Sequence, residues 1–160
     1  MEYRIATRDD AAQVGAVLHA NYNIASVAEG GQAFLGELTR GYRFVVAVEA
    51  GRVCGIVSWA PHGLPKHGLA ELDRIAVLPN CQGNGIGRAL FQKLLEDAQA
   101  HYAANGGKLR KLFLMTHANN LSAHAFYRKM GMAHEATLPS HYYASRDEFV
   151  FSLFLDGDSR

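Results

Sequence analysis

The stretch Leu72-Asp73-Arg74-Ile75-Ala76-Val77-Leu78-Pro79-Asn80-Cys81-Gln82-Gly83-Asn84-Gly85-Ile86-Gly87-Arg88-Ala89-Leu90 decides how the rest of the chain is read. A strand-like apolar run enters a short loop with three glycines in five residues, and an amphipathic helix follows at once. Glycine lacks a Cβ, so such a loop can curl and let a ligand approach its backbone. The first N–H groups of the helix have no partner within it and lie at the positive end of its macrodipole. A phosphate or pyrophosphate is the natural occupant of that place. Two nucleotide-binding patterns fail on spacing. The dinucleotide loop needs G-x-G-x-x-G, but counted from Gly83 the sixth position is Arg88. The P-loop needs Gly-Lys-Ser/Thr after its spacer, and no such triplet follows Gly83.

Outward from this stretch the period alternates between strand and helix. Upstream, Tyr3 to Ala6 reads as an edge strand, and Thr7 as the N-cap of a helix carrying Ala11, Val14, Val17 and Leu18 on one face. A second helix is expected over Gln32 to Thr39, punctuated by Gly30-Gly31 before it and Gly41 after it. Tyr42 to Glu49 and Arg52 to Trp59 form a hairpin about Ala50-Gly51, and Pro61 to Gly68 reads as a loop. Leu69 to Leu78 is the strand that feeds the glycine loop, and the helix after it runs to about Ala104, stopped by Asn105-Gly106-Gly107. Downstream come a strand over Lys111 to Thr116 and a helix from Leu121 to Met130 closed by Gly131. Strands over Met132 to Leu138 and Phe149 to Leu155 complete the pattern. The order predicts an α/β (α+β) fold, a mixed sheet with helices packed on it, in one domain spanning 1–160 with its core over about 3–155.

Composition narrows the function classes. The 160 residues carry 16 Lys+Arg against 15 Asp+Glu, and that +1 balance argues against a nucleic-acid or membrane-surface partner. At 49% hydrophobic the chain is too apolar to be disordered, yet no run is long enough to span a bilayer. Glu2, Arg4, Arg8, Asp9 and Asp10 leave no signal-peptide core in the first ten residues. Cys54 and Cys81 show no pairing pattern and read as free thiols, so a reducing cytoplasmic compartment is expected. The eight histidines show no metal-ligand spacing, and no metal is expected. Glycine numbers 16, against a usual share of about 7%, and the excess is concentrated at turns, helix ends and the loop quoted above.

Gln82-Gly83-Asn84-Gly85-Ile86-Gly87 resembles the Q/R-x-x-G-x-G/A motif with which the GNAT superfamily of N-acetyltransferases binds the pyrophosphate of acetyl-CoA. Asn120-Leu121-Ser122-Ala123-His124-Ala125-Phe126-Tyr127-Arg128-Lys129-Met130-Gly131-Met132 resembles its N-x-x-A-x-x-x-Y-x-x-x-G-F/M segment, and the likeness extends over about Tyr3 to Leu155. The resemblance implies a GNAT-like acyl-CoA N-acyltransferase fold. Its central sheet is mostly antiparallel, with one splayed parallel strand pair and flanking helices. It further implies acetyl transfer from acetyl-CoA, as co-substrate, to a primary amine of a small molecule or peptide. The alternative is an inactive acyl-CoA sensor of the same fold. A homodimer is compatible with the likeness, since family members often dimerise.

Carried over residue by residue, the resemblance gives the backbone of Ile75, Ala76 and Val77 to the pantetheine arm, in the manner of strand addition. It gives the pyrophosphate to Gln82, Gly83, Asn84, Gly85, Ile86, Gly87 and Arg88, and a pantetheine contact to Asn120. Tyr127 matches the tyrosine beside the thioester sulfur, where a phenol can protonate the departing thiolate. An amine near neutrality is mostly ammonium and must lose a proton before it attacks. Glu71, eleven residues before Gln82, stands where several family members carry a carboxylate base, and Asp73 shares its strand face. His117 and water remain alternatives for the base. Another base position, on the following strand five residues before Asn120, holds Met115, which cannot accept a proton. That departure counts against the subgroup acetylating ribosomal-protein N-termini.

Overall fold

The computed structural model describes residues 1–155. Seven strands form one mixed sheet in the order β1-β2-β3-β4-β5-β7-β6. They are β1 (Glu2–Ile5), β2 (Arg43–Glu49), β3 (Arg52–His62), β4 (Leu69–Val77), β5 (Lys111–His117), β6 (Ala133–Tyr143) and β7 (Arg146–Phe154). The helices are α1 (Ala11–Asn21), α2 (Val27–Thr39), α3 (Ile86–Ala104) and α4 (Leu121–Lys129). Pairing is antiparallel in β1–β2, β2–β3, β5–β7 and β6–β7. The β4–β5 pair is parallel, with a ladder from Leu69↔Lys111 to Glu71↔Phe113, while β4 runs on to Val77 and β5 to His117. Contacts divide the chain into two compact units, Met1–Ala60 with Asp73–Asp97, and Pro61–Leu72 with Ala98 onward.

In the first unit, Val14, Val17 and Leu18 of α1, Phe34 of α2, Phe44 and Val46 of β2, and Val53 and Ile56 of β3 form a buried cluster. Phe34 meets Phe44 edge to face, with centroids 4.8 Å apart. Each such side chain contributes roughly 1.5–3 kcal/mol by leaving water. Asp97 of α3 is gripped by Arg43 through two 2.8 Å bonds and by the Trp59 indole at 2.9 Å, which ties the helix to β2 and β3.

Helix α2 starts five residues earlier than the glycine pair suggests. Ser26 caps it by accepting from the Glu29 N–H at 3.0 Å, and the Glu29 carboxylate accepts from the N–H of Ala25, the residue before the cap, at 2.9 Å. Gly30 and Gly31 therefore lie inside the helix, where they let α1 approach. A Cβ on Gly30 would stand 2.6 Å from the Gly15 carbonyl oxygen. They are a packing surface rather than a stop signal.

In the second unit, β5, β7 and β6 carry an apolar layer that includes Leu112, Leu114 and Phe151, all buried. His124 of α4 belongs to it, buried and stacked on Phe149 with centroids 5.1 Å apart. Strand β3 continues through Pro61 to His62, so the expected loop shrinks and contains a single 3-10 turn at Pro65–His67. Strand β7 likewise begins at Arg146 and β6 reaches Tyr143, because the two close on a short turn with Ser145 at φ 62°. Among the described residues, no helix is long and apolar enough to cross a membrane.

Candidate active site

The loop between β4 and α3 is an open cradle. Pro79–Cys81 forms a 3-10 turn, after which Gly83 and Gly85 adopt φ values of 85° and 73°. A Cβ at either position would meet nothing within 4 Å, so glycine is required by the backbone conformation and not by crowding. Asn84 Nδ2 donates to the Cys81 carbonyl at 3.1 Å, which braces the loop from within. Among the described residues the N–H groups of Gly83, Asn84 and Gly85 have no protein acceptor. They lie beside the start of α3, a 19-residue helix whose first N–H groups are likewise free. Arg88, exposed on the first turn, makes no ion pair among the described residues. These residues fit an anion.

The β4 backbone expected to pair with a pantetheine arm has two of its carbonyls engaged by side chains. The Tyr22 phenol donates to the Ile75 carbonyl at 3.2 Å, and Gln82 Nε2 donates to the Val77 carbonyl at 3.2 Å. Ala76 between them is buried. Tyr22 is held in turn by Arg74, whose guanidinium lies 4.9 Å from the ring centroid and 3.3 Å from the buried Glu37 carboxylate on α2. Asp73, the second carboxylate on the strand face, lies 3.7 Å from Arg74 Nε. Cys54 is buried and Cys81 half-buried, both as free thiols. Burial, with the neighbouring Cys81 thiol behind it, pushes Cys54 up from its ordinary value.

The remaining candidates lie in the second unit. Glu71 on β4 accepts a 2.8 Å hydrogen bond from His62 Nε2, and its other oxygen has no protein partner among the described residues. Tyr127 on α4 is 9% exposed, and burial pushes its phenol up to about 12. Its ring packs against Phe126 and Phe151, and its hydroxyl has no protein partner among the described residues. Asn120 caps α4 by accepting from the Ala123 N–H at 3.2 Å, and its amide nitrogen stays available. Met115 is half-buried on β5 on the same face as Phe113 and His117. His117 Nδ1 meets the buried Glu148 carboxylate at 2.7 Å. It borders a cavity of about 280 Å³ with Asn119, Ser145, Arg146 and Asp147. Among the described residues, no three His, Cys, Asp or Glu side chains converge as a metal site would require.

His62, Tyr22, Glu37 and Glu148 are the members that sequence reasoning missed. None lies in a spaced motif: Glu148 faces His117 across the β5–β7 pair, His62 reaches Glu71 through a turn that folds back, and Tyr22 and Glu37 reach β4 from the end of α1 and from α2.

The model of the acetyltransferase (GNAT) family matches residues 16–132, and the chain belongs to that family. Over 99 residues it is 36% identical to the N-acetylaspartate synthetase of Xenopus tropicalis, a match covering 61% of this chain and 33% of that protein. Over 78 residues it is 36% identical to the ribosomal protein bS18-alanine N-acetyltransferase of Escherichia coli, covering 49% of this chain and 48% of that one. The chain thus spans less than half the length of either relative. The crystal structure of a GNAT-family protein from Desulfovibrio desulfuricans superimposes with a TM-score of 0.80 at 28% identity, over 96% of this chain and 98% of that one.

Proposed function

We propose that this chain is an acetyl-CoA-dependent N-acetyltransferase that moves an acetyl group to a primary amine of a small molecule or peptide by direct attack on the thioester. The observation that carries the reading is the unpaired run of N–H groups over Gly83–Gly85 at the start of α3, in a chain of this family. Backbone donors with Arg88 beside them suit a pyrophosphate, and they explain how a chain with a net charge of only +1 could hold a polyanion. In this reading the pantetheine arm pairs with the backbone of Ile75, Ala76 and Val77, displacing the Tyr22 and Gln82 side chains from the Ile75 and Val77 carbonyls. The two free thiols suit a cytoplasmic setting.

A lysine-like amine has a pKa near 10.4, so freeing it at pH 7 costs about 4–5 kcal/mol. In this reading Glu71 takes that proton on its unpartnered oxygen and passes it to water. The C–N bond then forms as the C–S bond breaks. Tyr127 protonates the departing sulfur, and the proton lost from the attacking nitrogen restores the phenol. Met115, at the base position on β5, cannot accept a proton, which supports the reading of a carboxylate base on β4. The relatives' names, one an N-acetylaspartate synthetase and one acetylating a protein alanine, support an acceptor among amino acids and peptides.

The test is release of CoA thiol from acetyl-CoA in the presence of aspartate, spermidine, kanamycin and alanyl peptides. Amine-dependent release is expected. Tight binding of acetyl-CoA with no turnover on any amine would favour the sensor instead.

A further inference from the structure

We infer that His62 is a positioning residue for Glu71, holding the carboxylate in the one orientation from which its second oxygen meets the incoming amine. The inference rests on the reading of Glu71 as the base. An ionised carboxylate only accepts, so at 2.8 Å the hydrogen between the two lies on His62 Nε2. One carboxylate oxygen is thereby committed, and the other, without a protein partner among the described residues, is the only one free to take a proton.

The surroundings show a built arrangement rather than a chance surface pair. The His62 ring packs edge-on against Phe113, with centroids 5.2 Å apart, and Phe113 is the register partner of Glu71 across the parallel ladder. The loop that follows His62 is pinned along its length. Leu64 N–H donates to His67 Nδ1 at 2.9 Å, and the Gly68 carbonyl accepts from the N–H groups of Arg110 and Lys111 at 2.8 and 3.0 Å. The buried Tyr102 phenol donates to the Leu69 carbonyl. A Cβ on Gly68 would collide with the Lys108 carbonyl oxygen, so the loop's return to β4 leaves no slack. A glutamate side chain has three rotatable bonds, and leaving it free spreads the carboxylate over several rotamers. His62 acts through Glu71 and does not touch the substrate, so its loss shows in turnover and not in binding.

The test compares the wild type with Glu71→Gln, His62→Ala, His62→Gln and the double variant His62→Ala/Glu71→Gln, using the fastest amine among aspartate, spermidine, kanamycin and an alanyl peptide. Expected are a kcat loss of about 100-fold for Glu71→Gln and about 10-fold for His62→Ala, with both KM values within about twofold. His62→Gln recovers most of the loss, because its amide N–H still donates to Glu71. In the Glu71→Gln background His62→Ala costs nothing further. A full 10-fold loss in that background, or an unchanged kcat for His62→Ala, overturns the inference while leaving Glu71 as base. An unchanged kcat for Glu71→Gln removes the base reading and this inference with it. Independently of any acceptor, a long-range proton–nitrogen spectrum of the wild type is expected to show a hydrogen on His62 Nε2. The Nδ1–H tautomer there overturns the geometry itself.

Discussion

Gly15 of α1 packs so closely on Gly31 of α2 that a methyl group on Gly15 would lie 2.6 Å from the Gly31 nitrogen. It would also collide with the Val27 carbonyl oxygen. Both obstacles are backbone, and neither can rotate aside. Gly15→Ala is therefore expected to destabilise the fold by about 2–3 kcal/mol, seen as a melting temperature lower by about 5–10 °C. Gly36, in the same α2, is the control. A methyl there would touch only the Arg40 side chain, at 3.5 Å, and Gly36→Ala is expected to raise stability by about 0.5–1 kcal/mol through helix propensity. Thermal melts of the two variants should move in opposite directions.

Asp10 links the start of α1 to β1. Its carboxylate takes both Arg4 guanidinium bonds, at 2.8 and 2.9 Å, and accepts from the Thr7 N–H at 2.8 Å. The Arg4 hydrogen bond, the largest cause, holds the carboxyl below its ordinary value. A carboxylate depressed in the folded state stabilises fully above the ordinary aspartate range, and that contribution is lost as pH falls through the folded value. The melting-temperature gap between wild type and Asp10→Asn is expected at neutral pH and should close on acidification, as pH falls below the ordinary aspartate range and through the depressed folded value. A gap that persists undiminished there would assign the effect to shape alone.

Tyr127 is placed to lose its proton only to something that needs it badly. Burial pushes the phenol to about 12, so it stays protonated throughout the working range. Tyr127→Phe is expected to lower kcat by about 10–100-fold while the Kd for acetyl-CoA changes less than about twofold. Stopped-flow turnover and calorimetric binding on one preparation check both halves.

Gly85 carries a φ of 73° in open space, so Gly85→Ala costs backbone strain of about 1–2 kcal/mol and nothing in packing. The chain can relieve that strain by turning the peptide, which reorients the loop N–H groups. CoA binding is expected to weaken about 10-fold with a melting temperature within about 3–6 °C of wild type, by calorimetric titration and thermal melts. Unchanged affinity would show that the loop does not hold the anion.

The strand–glycine loop–helix stretch from Leu72 to Leu90 and the segment from Asn120 to Met132 were legible in the chain itself. Both depend on neighbours within a few residues. A helix declares its period, and Gly83 and Gly85 declare turns that other residues resist. The mixed sheet follows from such local constraints, and the family was legible in the motifs that these two stretches carry. What Gly30-Gly31 does was not legible, because a glycine pair that ends a helix and one that admits another helix look alike until Gly15 is seen opposite. The partners of Glu71, Ile75 and His117 were equally hidden. His62 reaches Glu71 because the turn at Pro65–His67 folds β3 back on β4, Tyr22 reaches Ile75 across 53 residues, and Glu148 faces His117 through the β5–β7 register. Register and loop closure are properties of the whole sheet, and only the tertiary structure decided which carboxylate met which imidazole.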